Sequence, residues 1–540
     1  MKINVNKFKL SFENDKENEQ NTPSEQQEEA LVVLIPAKEQ NNPECREAKM
    51  KELKAFTEFK VFQEVEDAGQ ERLSSRWVLV RKPLDDGGSM VKARLVCRGF
   101  EEMIKVQADS PTGNKETLRM VLALTASYGW QVKSGDVKNA YLQGEKLERD
   151  VFMEPPPEAK KNNTIWKLEK AVYGMNDAGR RWYFKVEETL TNLGAEKSKL
   201  DHCLFTYKEQ GVLCGVMLVW VDDLFYAGTA DFEQKVVEKF SDRFKIGKMA
   251  VDAFTYIGLN IKTVNEGIEL DQNFYIAEKL EPAMLKPGLN TRSLDNEETK
   301  LLRRLTGKIN WAATQTRPDV AYTVVELSTK FKQPVLNDLK KANKAIVHLM
   351  ANRKKILFPK LSGKLSFDIY ADASFRNLPD QISSGRGHVI FLSGENDRSS
   401  ILGWNSNKVK RVVGSTLAAE ALSLKSSIDH GIYLRAMLAE ILGTDILEIP
   451  IRAHTDSNNL YQAVYSTKFV DDNKLRLDIA QIQKAVSEEN VQVIWIKAEE
   501  MLADCLTEKG VNQWRSTDGS FRDRENKKES GMNILMFVYQ

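Results

Sequence analysis

Two aspartates, Asp222 and Asp223, stand between two apolar runs, VMLVWV before them and LFYAG after them. The chain has two other Asp-Asp pairs, Asp85-Asp86 and Asp471-Asp472, and both lie in polar, turn-like sequence. The flanking runs read as strands and the acidic pair as the turn of a hairpin. Setting two carboxylates against buried strands is costly unless a cation compensates them. Hard divalent cations such as Mg²⁺ prefer carboxylate oxygens, so the pair points to a metal site, with an ordinary hairpin turn as the competing reading. Upstream, SGDVKNAYLQG places Asp136 at the end of another short strand and an aromatic, Tyr141, five residues later. Three carboxylates from two adjacent strands could hold two metals, the arrangement that activates a primer 3′-hydroxyl and neutralises a departing pyrophosphate. An aromatic beside the sugar would exclude a 2′-hydroxyl and so select deoxynucleotides.

A second set of acids follows the same logic. Strand-like LSFDIYAD alternates, with Leu365, Phe367 and Ile369 on one face and Ser366, Asp368, Tyr370 and Asp372 on the other. IPIRAHTD repeats the pattern, with Ile451 and Ala453 facing one way and Arg452, His454 and Asp456 the other. Two neighbouring strands that each end in Asp put carboxylates where α/β sheets usually hold ligands. A helix from Thr416 to about Leu442 carries Leu417, Ala421, Leu424, Ile428 and Ile432 as a packing stripe. Glu420 borders that stripe, an odd site for a charge unless it points at a metal. A fourth acid, Asp504, follows strand VQVIWIKA, with an N-terminal helix acid as its plain alternative. His454 reads as an ordinary strand-end histidine.

The 540 residues sum to a formal net charge of +1, which by itself argues mildly against a nucleic-acid partner. The distribution argues the other way. Residues 1–50 carry 7 basic against 10 acidic residues and read as a mobile acidic lead-in. Residues 300–364 hold 15 basic and 3 acidic residues, a local balance of +12, in a mostly helical pattern. Such a face is either solvated or binds a polyanion; Lys340, Lys341, Lys344, Arg353, Lys354 and Lys355 are its candidate contacts. RWVLVRKP and KARLVCRGF read as strands paired around Asp85-Asp86-Gly87-Gly88, followed by a helix over 115–128, a strand over 131–137 and a helix over 182–193. Five scattered cysteines without CxxC spacing suit a reduced intracellular protein. The start lacks the apolar core of a secretory signal, and no apolar run spans a bilayer, so no membrane partner is expected.

The ordered motifs KARLVCRGF, GDVKNAYLQG, VFMEPPPE, KLEKAVYGMNDAGRRWY, DHCLF, VWVDDLFYAGT and FTYIGLNI resemble the reverse transcriptase of copia-type LTR retrotransposons, collinearly from about 51 to 292. The resemblance continues through LLRRLTGKINWAATQTRPDVAYTV, the family's connecting segment. IYADAS, STLAAEAL, HTDSNN and LADCLTE are similar to its RNase H domain over about 365–510. The resemblance implies an α+β fold: fingers and palm over 51–292, a basic helical thumb or connection over 293–364, an α/β RNase H-like domain over 365–511, and a tail over 512–540. It implies Asp136, Asp222 and Asp223 as the polymerase triad, Tyr141 as the steric gate, Lys92 and Arg94 near the triphosphate, and the segment 254–258 at the primer end. Asp372, Glu420, Asp456 and Asp504 would form the nuclease set. Two Mg²⁺ ions per site, with Mn²⁺ as substitute, are the implied cofactors.

The implied partners are an RNA template, a DNA primer, an RNA–DNA hybrid and deoxynucleoside triphosphates, with a dimer or other Pol products besides. The implied setting is intracellular: cytoplasmic, in a virus-like particle, and also nuclear. Two residues depart from the family pattern. Trp220 stands for the usual tyrosine before Val-Asp-Asp, and Asp177 for a glutamine expected near the nucleotide, where a carboxylate would repel a triphosphate unless turned away. Neither a protease motif nor an integrase His/Cys pattern occurs, so a terminal, processed or truncated Pol piece is expected. The alternative is an impaired or domesticated remnant that binds nucleic acid without catalysis.

Overall fold

The computed structural model describes residues 33–83, 88–378, 382–467 and 470–508. Residues 1–32 of the expected lead-in, the turn residues Asp85, Asp86 and Gly87, and the 512–540 tail lie outside these. The rest of the lead-in is structured, which corrects the boundary expected at residue 50. Val33 and Leu34 pair with Arg81 and Val80 of strand β1 (Ser75–Pro83), and helix α1 (Pro43–Glu58) runs across the boundary. Proline at its start supplies the helical φ without costing a hydrogen bond, and Cys45, Leu53 and Phe56 bury its inner face. Three well-spaced apolar residues suffice for a core contact, although the segment's average composition is polar.

β1 pairs with β2 (Ser89–Cys97) as an antiparallel ribbon. Next comes helix α2 (Lys115–Tyr128), capped by the Asn114 side chain and closed by Gly129 at φ 68°. Five strands of the six-stranded central sheet run in the order β7-β3-β6-β5-β4, formed by β3 (Lys133–Val137), β4 (Leu204–Glu209), β5 (Val212–Trp220), β6 (Asp223–Gly228) and β7 (Ile246–Val251), and the short strand Glu196–Lys197 completes it beside β4. All its named pairs are antiparallel. Helix α3 (Ala178–Asn192) starts a turn earlier than the sequence pattern predicts. Val216 and Leu218 of β5 pack with Leu118, Val121 and Leu122 of α2, whereas Met217 and Val219 pack with Trp182, Val186 and Leu190 of α3. A strand buried on both faces has no polar side, so β5 reads as an unbroken apolar run.

Three helices carry the basic segment: α4 (Asn296–Gln315), α5 (Ala321–Thr329) and α6 (Leu336–Ala351). Asp295 and Glu298 form a reciprocal capping box at the start of α4. The second sheet has the order β10-β9-β8-β11-β12, from β8 (Ser366–Ser374), β9 (Gly385–Ser393), β10 (Ser399–Lys408), β11 (Ile451–Thr455) and β12 (Val491–Trp495). The first three strands are antiparallel, and β11 and β12 join parallel to β8, the topology of an RNase H-like fold. Helix α7 (Thr416–Leu442) packs along this sheet.

The two sheets share a core that runs from α2 through the connecting helices into the second domain. Arg119 of α2 lies at its centre, 1% exposed. Its guanidinium donates to Leu402 O at 3.1 Å, Thr314 O at 2.6 Å and Gln315 O at 2.8 Å, and stacks 3.7 Å from the Trp404 ring. One side chain thus ties the palm to the connection and to the second domain. Arg119→Met is expected to leave three buried carbonyls unpaired and cost roughly 3 kcal/mol or more. Calorimetry should then show the two halves melting apart, where the unsubstituted chain melts in coupled fashion.

Candidate active sites

The hairpin β5–β6 turns through Val221 and Asp222, with Trp220 facing Asp223. Asp223 is the direct register partner of Asp136 on β3, and Asp222 adjoins it in the turn, so the three predicted acids share one sheet end, more widely spaced than the acids of the second sheet. Directly opposed residues in an antiparallel pair have Cα atoms about 4.5–5.5 Å apart. Val221 holds φ 54°, a left-handed conformation that a β-branched residue adopts only under constraint. The constraint is visible: Trp182 Nε1 of α3 donates to Val221 O at 2.5 Å, and Val137 N donates to Asp222 O at 2.7 Å. Asp136 Oδ1 accepts from Lys248 N at 2.6 Å, and a Cβ on Gly247 would lie 2.4 Å from the same carboxylate. A side chain at Gly247 would therefore push the Asp136 carboxylate from this place. All the donors are hard carboxylate oxygens, a set that fits Mg²⁺.

Tyr141 lies in a short 3₁₀ turn after β3, edge-on to Tyr173 at 5.2 Å. Arg94 of β2 stacks over the other ring, 5.4 Å from the Tyr173 centroid. Lys92 and Arg94 are two residues apart on β2, and both act on buried Glu52, whose carboxyl burial pushes up to about 7 against their pull. Asp222 also lies within electrostatic reach of Tyr173. Arg94 and Tyr141 thus meet at Tyr173, which Asp222 also reaches, and Lys92 joins them only through Glu52. In the 254–258 segment, a turn with Ile257 at φ 45° and Gly258 at φ 77° presents Phe254 and Tyr256 to Phe225 of β6.

Asp177 does not join this group. Its carboxylate, 3% exposed, accepts from Arg149 Nη1 at 2.7 Å, Arg149 Nη2 at 3.1 Å and Arg181 Nε at 2.7 Å. Burial alone would raise its pKa, but the two guanidiniums outweigh it and hold the carboxyl below its ordinary range. The expected nucleotide contact is corrected: Asp177 is turned into this ion-pair cluster, the turned-away arrangement under which the sequence left no repulsion of a triphosphate.

In the second sheet, Asp372, Asp456 and Asp504 offer ligand oxygens all within 4.8 Å of one another. The register explains it: Tyr370 of β8 is the parallel partner of His454 of β11, so Asp372 and Asp456 two residues on fall side by side. β8 continues past Asp372 to Ser374, so this acid stands within the strand rather than at its end. The Thr507 hydroxyl donates to Asp372, and Ser423 Oγ of α7 donates to Asp372 O at 2.8 Å. Burial first, then repulsion from Asp456, raises Asp372 to about 6. Burial with the charges of Asp372 and Asp456 raises Asp504 to about 7. Glu420 is pushed well up by burial and by all three neighbours, and Asp456 is raised by burial. Four acids so crowded repel one another and suit a divalent cation. His454 stacks on Tyr370 at 4.5 Å and meets Asp368 at 3.2 Å, a packed histidine as expected.

The basic segment is partly neutralised within the fold. Lys341 pairs with Glu326 and Lys355 with Glu269, both at 2.7 Å, while Lys354 is half-buried beside Asp319. Lys340 donates to Asn290 Oδ1 at 2.8 Å and remains exposed, as do Lys344 and Arg353. The missed residues are Thr507, Gly247 and the Trp182–Val221 bond; only Thr507, three residues after Asp504, had a nearby acid in the sequence to signal it.

Residues 59–292 match the family profile "Reverse transcriptase (RNA-dependent DNA polymerase)". The chain is 27% identical over 456 residues to the Retrovirus-related Pol polyprotein from transposon RE1 of Arabidopsis thaliana, covering 80% of this chain and 30% of that protein. It is 26% identical over 522 residues to the Pol polyprotein from transposon TNT 1-94 of Nicotiana tabacum, covering 89% and 37%. The chain thus spans about a third of these relatives. Among solved structures, a foamy viral protease-reverse transcriptase in complex with ds DNA aligns at TM-score 0.50 and 12% identity, over 85% of this chain and 70% of that one, a likeness of fold.

One outcome follows from the crowding of the second acid set. Without divalent cations, Asp372→Asn is expected to raise thermal stability by roughly 1–2 kcal/mol, because a neutral amide removes repulsion. The same substitution should diminish the stabilisation that Mg²⁺ gives the unsubstituted chain. A melt that falls without metal would mean that Asp372 is held by partners rather than repelled.

Proposed function

We propose that this chain, a copia-type retrotransposon Pol chain with a reverse-transcriptase domain at residues 59–292, synthesises DNA on RNA and DNA templates and cuts the RNA strand of the resulting hybrid. The observation that carries the polymerase half is the register pairing of Asp136 with Asp223, with Asp222 in the adjoining turn. The close set of Asp372, Asp456 and Asp504, with Glu420 beside it, supports the nuclease half. Mg²⁺ held by each set, with Mn²⁺ as substitute, would activate the attacking oxygen and neutralise the leaving group.

The chain's own residues do the rest. Lys92 and Arg94 offer positive charge to the triphosphate on the approach to Asp222. The Tyr141 ring, braced by Tyr173, would exclude a 2′-hydroxyl from the bound nucleotide. Trp182 and Val137 fix the backbone of the acidic turn, so the carboxylates need little rearrangement when charge arrives. Thr507 and Ser423 anchor Asp372 on the nuclease side. The exposed Lys340, Lys344 and Arg353 offer phosphate contacts along a hybrid. The template RNA, the DNA primer and dimers or other Pol products are proposed partners, in an intracellular, particle-associated and nuclear setting.

Primer extension on an RNA template with Mg²⁺ and four deoxynucleotides tests this reading. Full-length product is expected. No extension with hybrid binding retained would favour an impaired or domesticated remnant. Asp222→Asn should lower synthesis by about 10³-fold or more while sparing hybrid cleavage, and Asp372→Asn should do the reverse. Changing Lys340, Lys344 and Arg353 to Glu should reduce the salt slope of hybrid binding by about 0.7–0.9 per lost phosphate contact. Lys341→Glu, already paired in the fold, should change that slope less; equal effects would mean that the ion pairs do not select the track.

A further inference from the structure

Asp177 is one of the two residues that depart from the family pattern, and its surroundings indicate what it does instead. It occupies the N-cap position of α3, yet its side chain makes no capping hydrogen bond. Both carboxylate oxygens are instead taken by Arg149, whose guanidinium also reaches Glu102 through Nε at 2.6 Å and Nη2 at 3.1 Å. Arg181, one turn into α3, closes on Asp177 and donates Nη1 to Lys146 O at 2.9 Å. Three chain segments meet in this clamp: the exit of β2, the strand that carries Lys92 and Arg94; the linker at 146–149; and the first turn of α3. Arg149 and Asp177 are both largely buried, with 14% and 5% of their side-chain surface exposed. A buried bidentate pair of this kind is geometrically strict, and loss of one partner leaves an uncompensated charge.

The turn held by the clamp forms a wall of the polymerase site. Gly179 packs on Ser110, and a Cβ there would lie 3.5 Å from Ser110 and 4.0 Å from the Tyr141 hydroxyl. Arg180 donates to Asp109 O and Oδ2, both at 3.1 Å. Trp182 in the next turn holds Val221 O at 2.5 Å. The opening of α3 therefore packs beside the 3₁₀ turn that carries Tyr141 and holds the backbone of the acidic turn.

We propose that Asp177 and Arg149 are positioning residues for sugar discrimination, acting through the first turn of α3 to hold Tyr141 where it meets the 2′ position. The inference rests on the polymerase reading. If Asp177 acts this way, its loss changes the placement of Tyr141 and spares the carboxylates that hold metal. Apparent affinity and ribonucleotide rejection should then change more than turnover.

The test compares Asp177→Asn, Arg149→Lys, Tyr141→Ala and the double variant Asp177→Asn/Tyr141→Ala in the full chain, with single deoxy- and ribonucleotide incorporation on an RNA template. Asp177→Asn keeps the volume and weakens only the charge pairing. Hybrid cleavage by the same preparation shows that the chain is folded. Asp177→Asn is expected to raise KM for the deoxynucleotide and lower the deoxy-to-ribo ratio of kcat/KM by roughly tenfold, with kcat within about threefold. In the Tyr141→Ala background the same change should alter the ratio by less than about twofold, because the residue it acts through is gone. An unchanged ratio in Asp177→Asn and Arg149→Lys would overturn the proposal, as would equal losses with and without Tyr141. An unsubstituted chain that extends no primer would instead sink the polymerase reading, and this inference with it.

Discussion

Carboxylates repel, and a protein interior amplifies the repulsion; this chain gathers acids at two places and builds its sheets around them. At the first place the acids sit on backbone that can hardly move. Asp136 and Asp223 face each other across β3 and β6, and Asp222 rides on a turn strained at Val221 and pinned by Trp182 and Val137. At the second place the crowding is tighter, and the raised pKa values of Asp372, Asp504 and Glu420 express its cost. A divalent cation relieves that cost only if the oxygens are already in place; strands carry Asp136, Asp223 and Asp372, a helix carries Glu420, and Asp222, Asp456 and Asp504 stand on turns anchored to those elements.

The same account explains the charges elsewhere. A net charge of +1 hides a +12 segment because the offsetting acids lie elsewhere in the chain, seven of them at the two sites; some of the segment's lysines are also paired, Lys341 with Glu326 of the segment itself and Lys355 with Glu269 outside it. Of the six candidate contacts, Lys340, Lys344 and Arg353 remain exposed, and Lys300, Arg303, Arg304, Lys332, Lys360 and Lys364 of the same segment are exposed with them. Arg119 shows the opposite use of a cation: buried, it holds three carbonyls and an indole at the junction of palm, connection and second domain. A Glu116–His430–His388 hydrogen-bonded chain runs beside it, at 3.0 and 2.8 Å.

Local pattern made much of this readable in advance. The β5–β6 hairpin shows as two apolar runs around an acidic pair because both strand faces are buried. The helices at 115–128 and 416–442 carry their periodicity and their caps in adjacent residues, and their observed ends coincide with the predicted ones. The neighbouring positions of Asp372 and Asp456 follow from strand alternation once β8 and β11 are parallel. What stayed hidden depends on partners far apart in the chain. Nothing near Asp177 announces Arg149, 28 residues away, and nothing near Lys355 announces Glu269. Helix α1 was concealed differently, because its buried face needs only a few residues in a stretch whose average composition is polar.

The central claim is that one chain carries two separate hard-cation sites of different tightness. Crystals of the protein grown with Mn²⁺ and read by anomalous scattering test it without recourse to activity. The account predicts peaks bounded by Asp136, Asp222 and Asp223, and by Asp372, Glu420, Asp456 and Asp504. Peaks at neither set, or at the second alone under saturating Mn²⁺ with nucleic acid bound, would contradict it.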